Sequence, residues 1–188
     1  AAVGVTAVAA SASIALSPPV ISNINVDVPA NGYVSGDVAV TASVDTPLKT
    51  IREVYLISDD GNKIDGSFKN NTASFSVDEN GNYTIHVVTV NDLSSTADFA
   101  VSAIDDLAPT ISGFDYTEDD LVIKFNDEGS GIDYSSIKGV TSDGQVIMPI
   151  SFDKENNTVT FAFPDENFQL SISDLAGNES HHNVELTQ

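Results

Sequence analysis

Apolar residues recur at every second position in short runs along this chain, and Gly, Asn, Asp and Pro separate the runs at roughly ten-residue spacing, the pattern of half-buried strands joined by tight turns. In Leu121-Val122-Ile123-Lys124-Phe125 the alternation places Leu121, Ile123 and Phe125 on an inward face and Lys124 outward. Extended along the chain, it predicts strands near 20–28, 37–44, 51–57, 63–68, 73–77, 82–90 and 96–103. A second set is predicted near 110–116, 121–126, 137–140, 145–152, 158–163, 168–173 and 181–186. Asn31-Gly32, Asp60-Gly61-Asn62 and Asn70-Asn71 supply positive-φ or Asx-turn positions between runs. No useful window carries a 3.6-residue period, and the helical candidates are the Ala-rich start and a turn at 133–137.

The second half of the chain repeats the first. Asn71 returns as Asn157 and Phe75 as Phe161; Ser58-Asp59-Asp60-Gly61 matches Thr141-Ser142-Asp143-Gly144, and Asn82-Tyr83-Thr84 matches Asn167-Phe168-Gln169. A period of this length is too long for a solenoid and suits a duplicated domain. The expected organisation is an all-β chain with an apolar segment at 1–17, closed by Pro18-Pro19, then β-sandwich units at 18–105 and 106–188. Phe75 and Phe161 are expected at equivalent core positions.

The loop Asn126-Asp127-Glu128-Gly129-Ser130-Gly131-Ile132-Asp133, the Ser142-Asp143-Gly144 turn and the closing Ser173-Asp174-Leu175-Ala176-Gly177-Asn178 resemble the bacterial immunoglobulin-like domains strung together in surface adhesins. In the first half, Asn80-Gly81-Asn82-Tyr83-Thr84 and the exit Ile104-Asp105-Asp106-Leu107-Ala108-Pro109 are similar to that family's penultimate strand and interdomain joint. Asn91-Asp92-Leu93-Ser94-Ser95 departs from it where an Asp-x-Ala-Gly-Asn turn is expected. The resemblance implies two tandem immunoglobulin-like β-sandwiches and a secreted, cell-surface structural or adhesive role.

Charge narrows the partners. With 28 acidic and 7 basic residues and a net charge of −21, the chain lacks the basic footprint of a nucleic-acid binder and is repelled by anionic membranes. The excess acid reads as a solvated surface, with cation-binding clusters as the functional alternative. Asp127, Glu128 and Asp133 share one Gly-rich loop and offer the oxygen ligands a hard cation such as calcium takes, although without EF-hand spacing. Asp105 and Asp106 form a second candidate, where an ion bridging the joint would stiffen the tandem. The bland reading of both is a solvated turn or linker. No other cofactor is expected.

Catalytic signatures are missing. There is no Cys, so thiol nucleophiles, thiolate sites and disulfides are excluded, and each small unit relies on its apolar core. His86, His181 and His182 read as surface histidines, since the neighbouring pair points to opposite faces of a strand. No Gly-x-Ser-x-Gly elbow is present, and the chain is not expected to be an enzyme. Lys124 faces outward and Asn178 sits in a turn, which disfavours an internal isopeptide bond. The triplets beginning at Asn70, Asn82, Asn156 and Asn178 fit glycan acceptors, but a chain this rich in Asn, Ser and Thr produces them by chance.

Residues 1–17 carry no charged side chain and include Val3, Val5, Val8, Ile14 and Leu16. The segment is too short and too weakly apolar for a stable membrane span. Added as a strand to a neighbouring subunit it would bury its side chains and satisfy its backbone, and a repeated head-to-tail contact of that kind builds an open filament. A leader or residual export signal is the competing reading. The expected function is therefore an extracellular structural subunit of a surface filament or pilus, assembled by N-terminal segment exchange. The alternative is a spacer or ligand-binding fragment of a larger adhesin, with a host protein or glycan as its partner.

Overall fold

The computed structural model describes residues 17–46 and 50–186, and every regular element in them is a β-strand. The first half forms β1 (Val20–Asp27), β2 (Val38–Asp45), β3 (Ile51–Ser58), β4 (Lys63–Asp65), β5 (Ser67–Lys69), β6 (Thr72–Val77), β7 (Gly81–Thr89) and β8 (Ser94–Val101). The second forms β9 (Thr110–Tyr116), β10 (Asp120–Asn126), β11 (Ile132–Thr141), β12 (Val146–Ile147), β13 (Ser151–Asp153), β14 (Thr158–Ala162), β15 (Phe168–Asp174) and β16 (Glu179–Val184).

Each half builds two antiparallel four-stranded sheets. Order β1-β2-β6-β5 packs against β4-β3-β7-β8, and β13-β14-β10-β9 against β12-β11-β15-β16. These are the strand orders of immunoglobulin-like sandwiches, with an extra short strand on the second sheet of each. The chain is a tandem of two such domains.

Period-two burial creates the cores. Along β2, Val38, Val40, Ala42 and Val44 are buried and face Leu56, Ile85 and Val87 of the opposite sheet. Leu121, Ile123 and Phe125 are buried on β10 while Lys124 is exposed, as the alternation predicts. Fully burying each such side chain contributes roughly 1.5–3 kcal/mol, which a domain without disulfides depends on. Phe75 pairs with Val40 and Phe161 with Leu121, so the two aromatics occupy matching core sites on β6 and β14. The turns match too: Asn71 and Asn157 have positive φ, as do Gly61 and Gly144.

Three expectations change. The single strand near 63–68 is two: β4 pairs with β3 and β5 with β6, so the chain crosses from one sheet to the other at Gly66. A Cβ at Gly66 would lie 2.3 Å from the Phe75 ring, so the crossing needs glycine. The run near 145–152 divides in the same way into β12 and β13, which join different sheets. Residues 133–137 lie within β11 as an irregularity between Asp133 and Lys138, because pairing with β15 on either side holds the chain extended. Tyr83 on β7 donates its hydroxyl to the Glu79 carbonyl at 2.7 Å, pinning the connection that leads into β7; Phe168 stands at the corresponding place in the second domain.

Candidate cation site at the domain seam

The seam is built from three loops. After β8 the chain pairs with the β1–β2 connection: Val34 donates to the Ala103 carbonyl and Asp105 to the Val34 carbonyl, each at 2.9 Å, which anchors the Asp105 backbone to the first domain. The Asp105 side chain reaches the second domain. One carboxylate oxygen accepts from the Ser130 amide and the other from the Leu107 amide, while its backbone carbonyl accepts from Asn178 Nδ2 at 2.6 Å. Asp106 turns back onto the first domain and accepts from the Gly36 amide at 2.6 Å. Asn31 in turn donates to the Leu175 carbonyl of the second domain.

Asp127 follows β10 and organises its Gly-rich loop. Its Oδ1 accepts from the Gly129 and Gly131 amides at 3.1 and 2.6 Å, while its Oδ2 is buried with no hydrogen-bond partner. Asp174 ends β15 and organises the Asp-Leu-Ala-Gly-Asn turn: Oδ1 accepts from the Gly177 and Asn178 amides at 2.6 and 2.8 Å, and Oδ2 from Asn178 Nδ2 at 2.7 Å. Leu175 donates to the Gly131 carbonyl and Ala176 to Ser130 Oγ, joining these two loops.

Asp105, Asp127 and Asp174 each bring one carboxylate oxygen to within 4.8 Å of the others. Oxygens that share a calcium ion at 2.3–2.6 Å lie no more than about 5 Å apart, so the spacing fits. An uncompensated buried carboxylate oxygen is costly and fits a cation ligand. Among the described residues the basic partners in ion pairs are Arg52, Lys63 and His181, and their acidic partners do not include these three. Burial pushes the Asp105 carboxyl up, yet hydrogen bonds from Ser130 and Leu107 outweigh it and hold the group below the ordinary carboxylate value. Close approach depends on Gly129, where a Cβ would fall 2.2 Å from the Asp105 carboxylate.

Of the residues named from sequence, Asp127 and Asp105 enter this cluster. Glu128 is exposed outside it, and Asp133 accepts instead from the Ser135 amide and hydroxyl at 2.9 and 2.6 Å. Asp174 was legible only as the head of a turn. His86 stacks on Tyr55, and His181 and His182 bond Ser171 and Ser180. Val3, Val5, Val8, Ile14 and Leu16 lie outside the described residues.

No family model matches the sequence, and no curated protein matches it. Among solved structures, the chain is similar to the fibronectin(III)-like modules of Clostridium thermocellum CbhA, with 13% identity and a TM-score of 0.39 over 86% of this chain and 91% of that one. It is similar to a two-domain fibronectin type III segment of chicken tenascin, with 16% identity and a TM-score of 0.36 over 88% and 99%. The C-terminal fragment of intimin, in complex with the intimin-binding domain of its translocated receptor, is 11% identical with a TM-score of 0.43 over 88% of this chain and 64% of that one. At these identities the similarity concerns fold, and no ligand or activity follows from it.

Proposed function

We propose that this chain is an extracellular structural module whose two domains are locked by a calcium-class cation held by Asp105, Asp127 and Asp174. The observation that carries the reading is the unpartnered, buried Asp127 Oδ2 beside a carboxylate delivered from the other domain. Calcium fits this all-oxygen donor set, and extracellular calcium modules work at dissociation constants of about 10⁻⁴–10⁻³ M. A cation bound across the seam would oppose bending between the domains, which is the property a stalk or filament unit needs. In this reading the module is a subunit of a surface filament, with residues 1–17 joining one copy to the next.

Thermal unfolding of the full chain in EDTA and in millimolar calcium tests the site. A ligand that binds only the folded state adds RT ln(1 + [L]/Kd), about 2.7 kcal/mol at a hundredfold excess over Kd. Calcium should raise the melting temperature of the native chain and leave Asp127→Asn unmoved. Identical melting in EDTA and calcium would overturn the cation reading.

A further inference from the structure

The pole of the second domain opposite the seam carries an open, mainly apolar groove of about 320 Å³, in which Phe114, Tyr116, Leu121, Phe163, Val184 and Leu186 are joined by Asn183 and Glu185. Three of these aromatics stand open to solvent: Tyr116 is 73% exposed, Phe114 54% and Phe163 39%. The first domain shows what the same strip looks like when covered. Pairing of Val40 with Phe75 and of Leu121 with Phe161 makes Val26, opposite Val40, the counterpart of Tyr116, opposite Leu121, and makes Val77 the counterpart of Phe163. Val77 is fully buried and Val26 packs against the core.

The connections that follow each domain's first strand differ. In the first domain residues 28–37 link β1 to β2, and Val34 adds beside Ile104 as a parallel bridge and packs on the core. In the second, residues 117–119 alone link β9 to β10 and close as a tight turn, with Thr117 donating to the Asp120 carbonyl. Among the described residues, this three-residue turn lays no segment over the strip, whose shape suits an extended apolar segment.

Chain direction identifies a donor. Ser95, at the end of β8 away from the seam, donates to the Pro19 carbonyl, so the described chain begins at the pole of the first domain opposite the seam. The groove lies at the other end of the tandem, where β15 begins and β16 ends. Two sandwiches with strands of about eight residues each span ~50 Å at 3.3 Å per residue, which separates the two poles. A second copy stacked end to end brings the start of its first domain beside the groove. Residues 1–16 carry no charge, so their docking adds no repulsion to a chain of net charge −21.

We propose that this groove receives residues 1–16 of a second copy, laid over Tyr116 and Phe163 beside Val184, and that the contact repeats head to tail as an open filament. The proposal rests on the structural-subunit reading and supplies its acceptor.

The test uses the full chain and its own assembly. Tyr116→Glu and Phe114→Glu place charge in the groove at exposed positions, and each should weaken the head-to-tail contact by about tenfold or more while leaving the melting temperature unchanged. Fibre length is read by negative-stain microscopy and mass by light scattering, and a free peptide of residues 1–16 should shorten native fibres. Because the chain lacks Cys, the double variant Val5→Cys, Tyr116→Cys carries a single pair of thiols, and oxidation should give a ladder of covalent oligomers. Native fibres that persist unchanged in both Glu variants would overturn the groove while keeping the subunit reading. Crosslinking confined to monomers would show the groove filled by its own chain. Failure of the native chain to assemble would overturn both, leaving the calcium response as the independent measure of the seam.

Discussion

Replacing Gly129 by alanine tests the seam with one methyl group. The added Cβ would lie 2.2 Å from the Asp105 Cγ, against an ordinary contact of 3.4–4 Å, so the carboxylate must withdraw by more than an ångström. It cannot do so and keep its bond from the Ser130 amide, which is buried. Losing a hydrogen bond to a charged group and stranding its buried donor costs about 1.5–3 kcal/mol. At ~4–8 °C per kcal/mol for a domain of this size, the second domain's melting temperature should fall by on the order of 10 °C. Gly113→Ala is the matched control: it sits on β9 with nothing within 4 Å of its Cβ position, and it should be neutral or stabilising by less than ~1 kcal/mol. Scanning calorimetry of the two variants and the native chain decides the matter, and Gly129→Ala should also lose the calcium response. If Gly129→Ala melts with Gly113→Ala, Asp105 is not held where the seam requires it.

Phe75→Ala and Phe161→Ala should each cost about 3–5 kcal/mol in urea unfolding, since both empty matching core sites; a small loss at either would break the equivalence of the halves. Tyr83→Phe should cost roughly 0.5–1.5 kcal/mol by removing the bond to Glu79, whereas a neutral result would mean the pin carries no net stability. Asp143 is held below the ordinary carboxylate value by hydrogen bonds from the Thr141 hydroxyl and the Gln145 amide. Its folded value lies under its unfolded one, so its contribution is present above the unfolded pKa and fades as pH falls through the folded one. Asp143→Asn should flatten that part of the acid limb, and an NMR titration that placed Asp143 at or above the model-peptide value would refute the assignment.

Local chemistry made much of the fold legible in the residues themselves. Alternation identified the buried face of β10, paired Asn and Gly residues marked turns whose φ is positive, and the internal repeat put Phe75 and Phe161 at matching sites, because each depends on a backbone preference or a pleat that neighbouring residues impose. Three features were decided only by closure of the whole chain. Residues 63–69 and 146–153 divide between facing sheets because each sheet edge offers separate backbone partners, and a run of strand-forming residues does not say which edge it will meet. Residues 133–137 are extended because β15 pairs on both sides of the irregularity. Asp105, Asp127 and Asp174 come from a domain exit, a loop and a turn far apart in sequence, and only long-range packing brings their carboxylates to one point while leaving an oxygen of Asp127 without a donor. The groove has the same origin: Val26 and Val77 pack in the first core while their counterparts Tyr116 and Phe163 stand exposed, a difference that strand alternation alone does not announce.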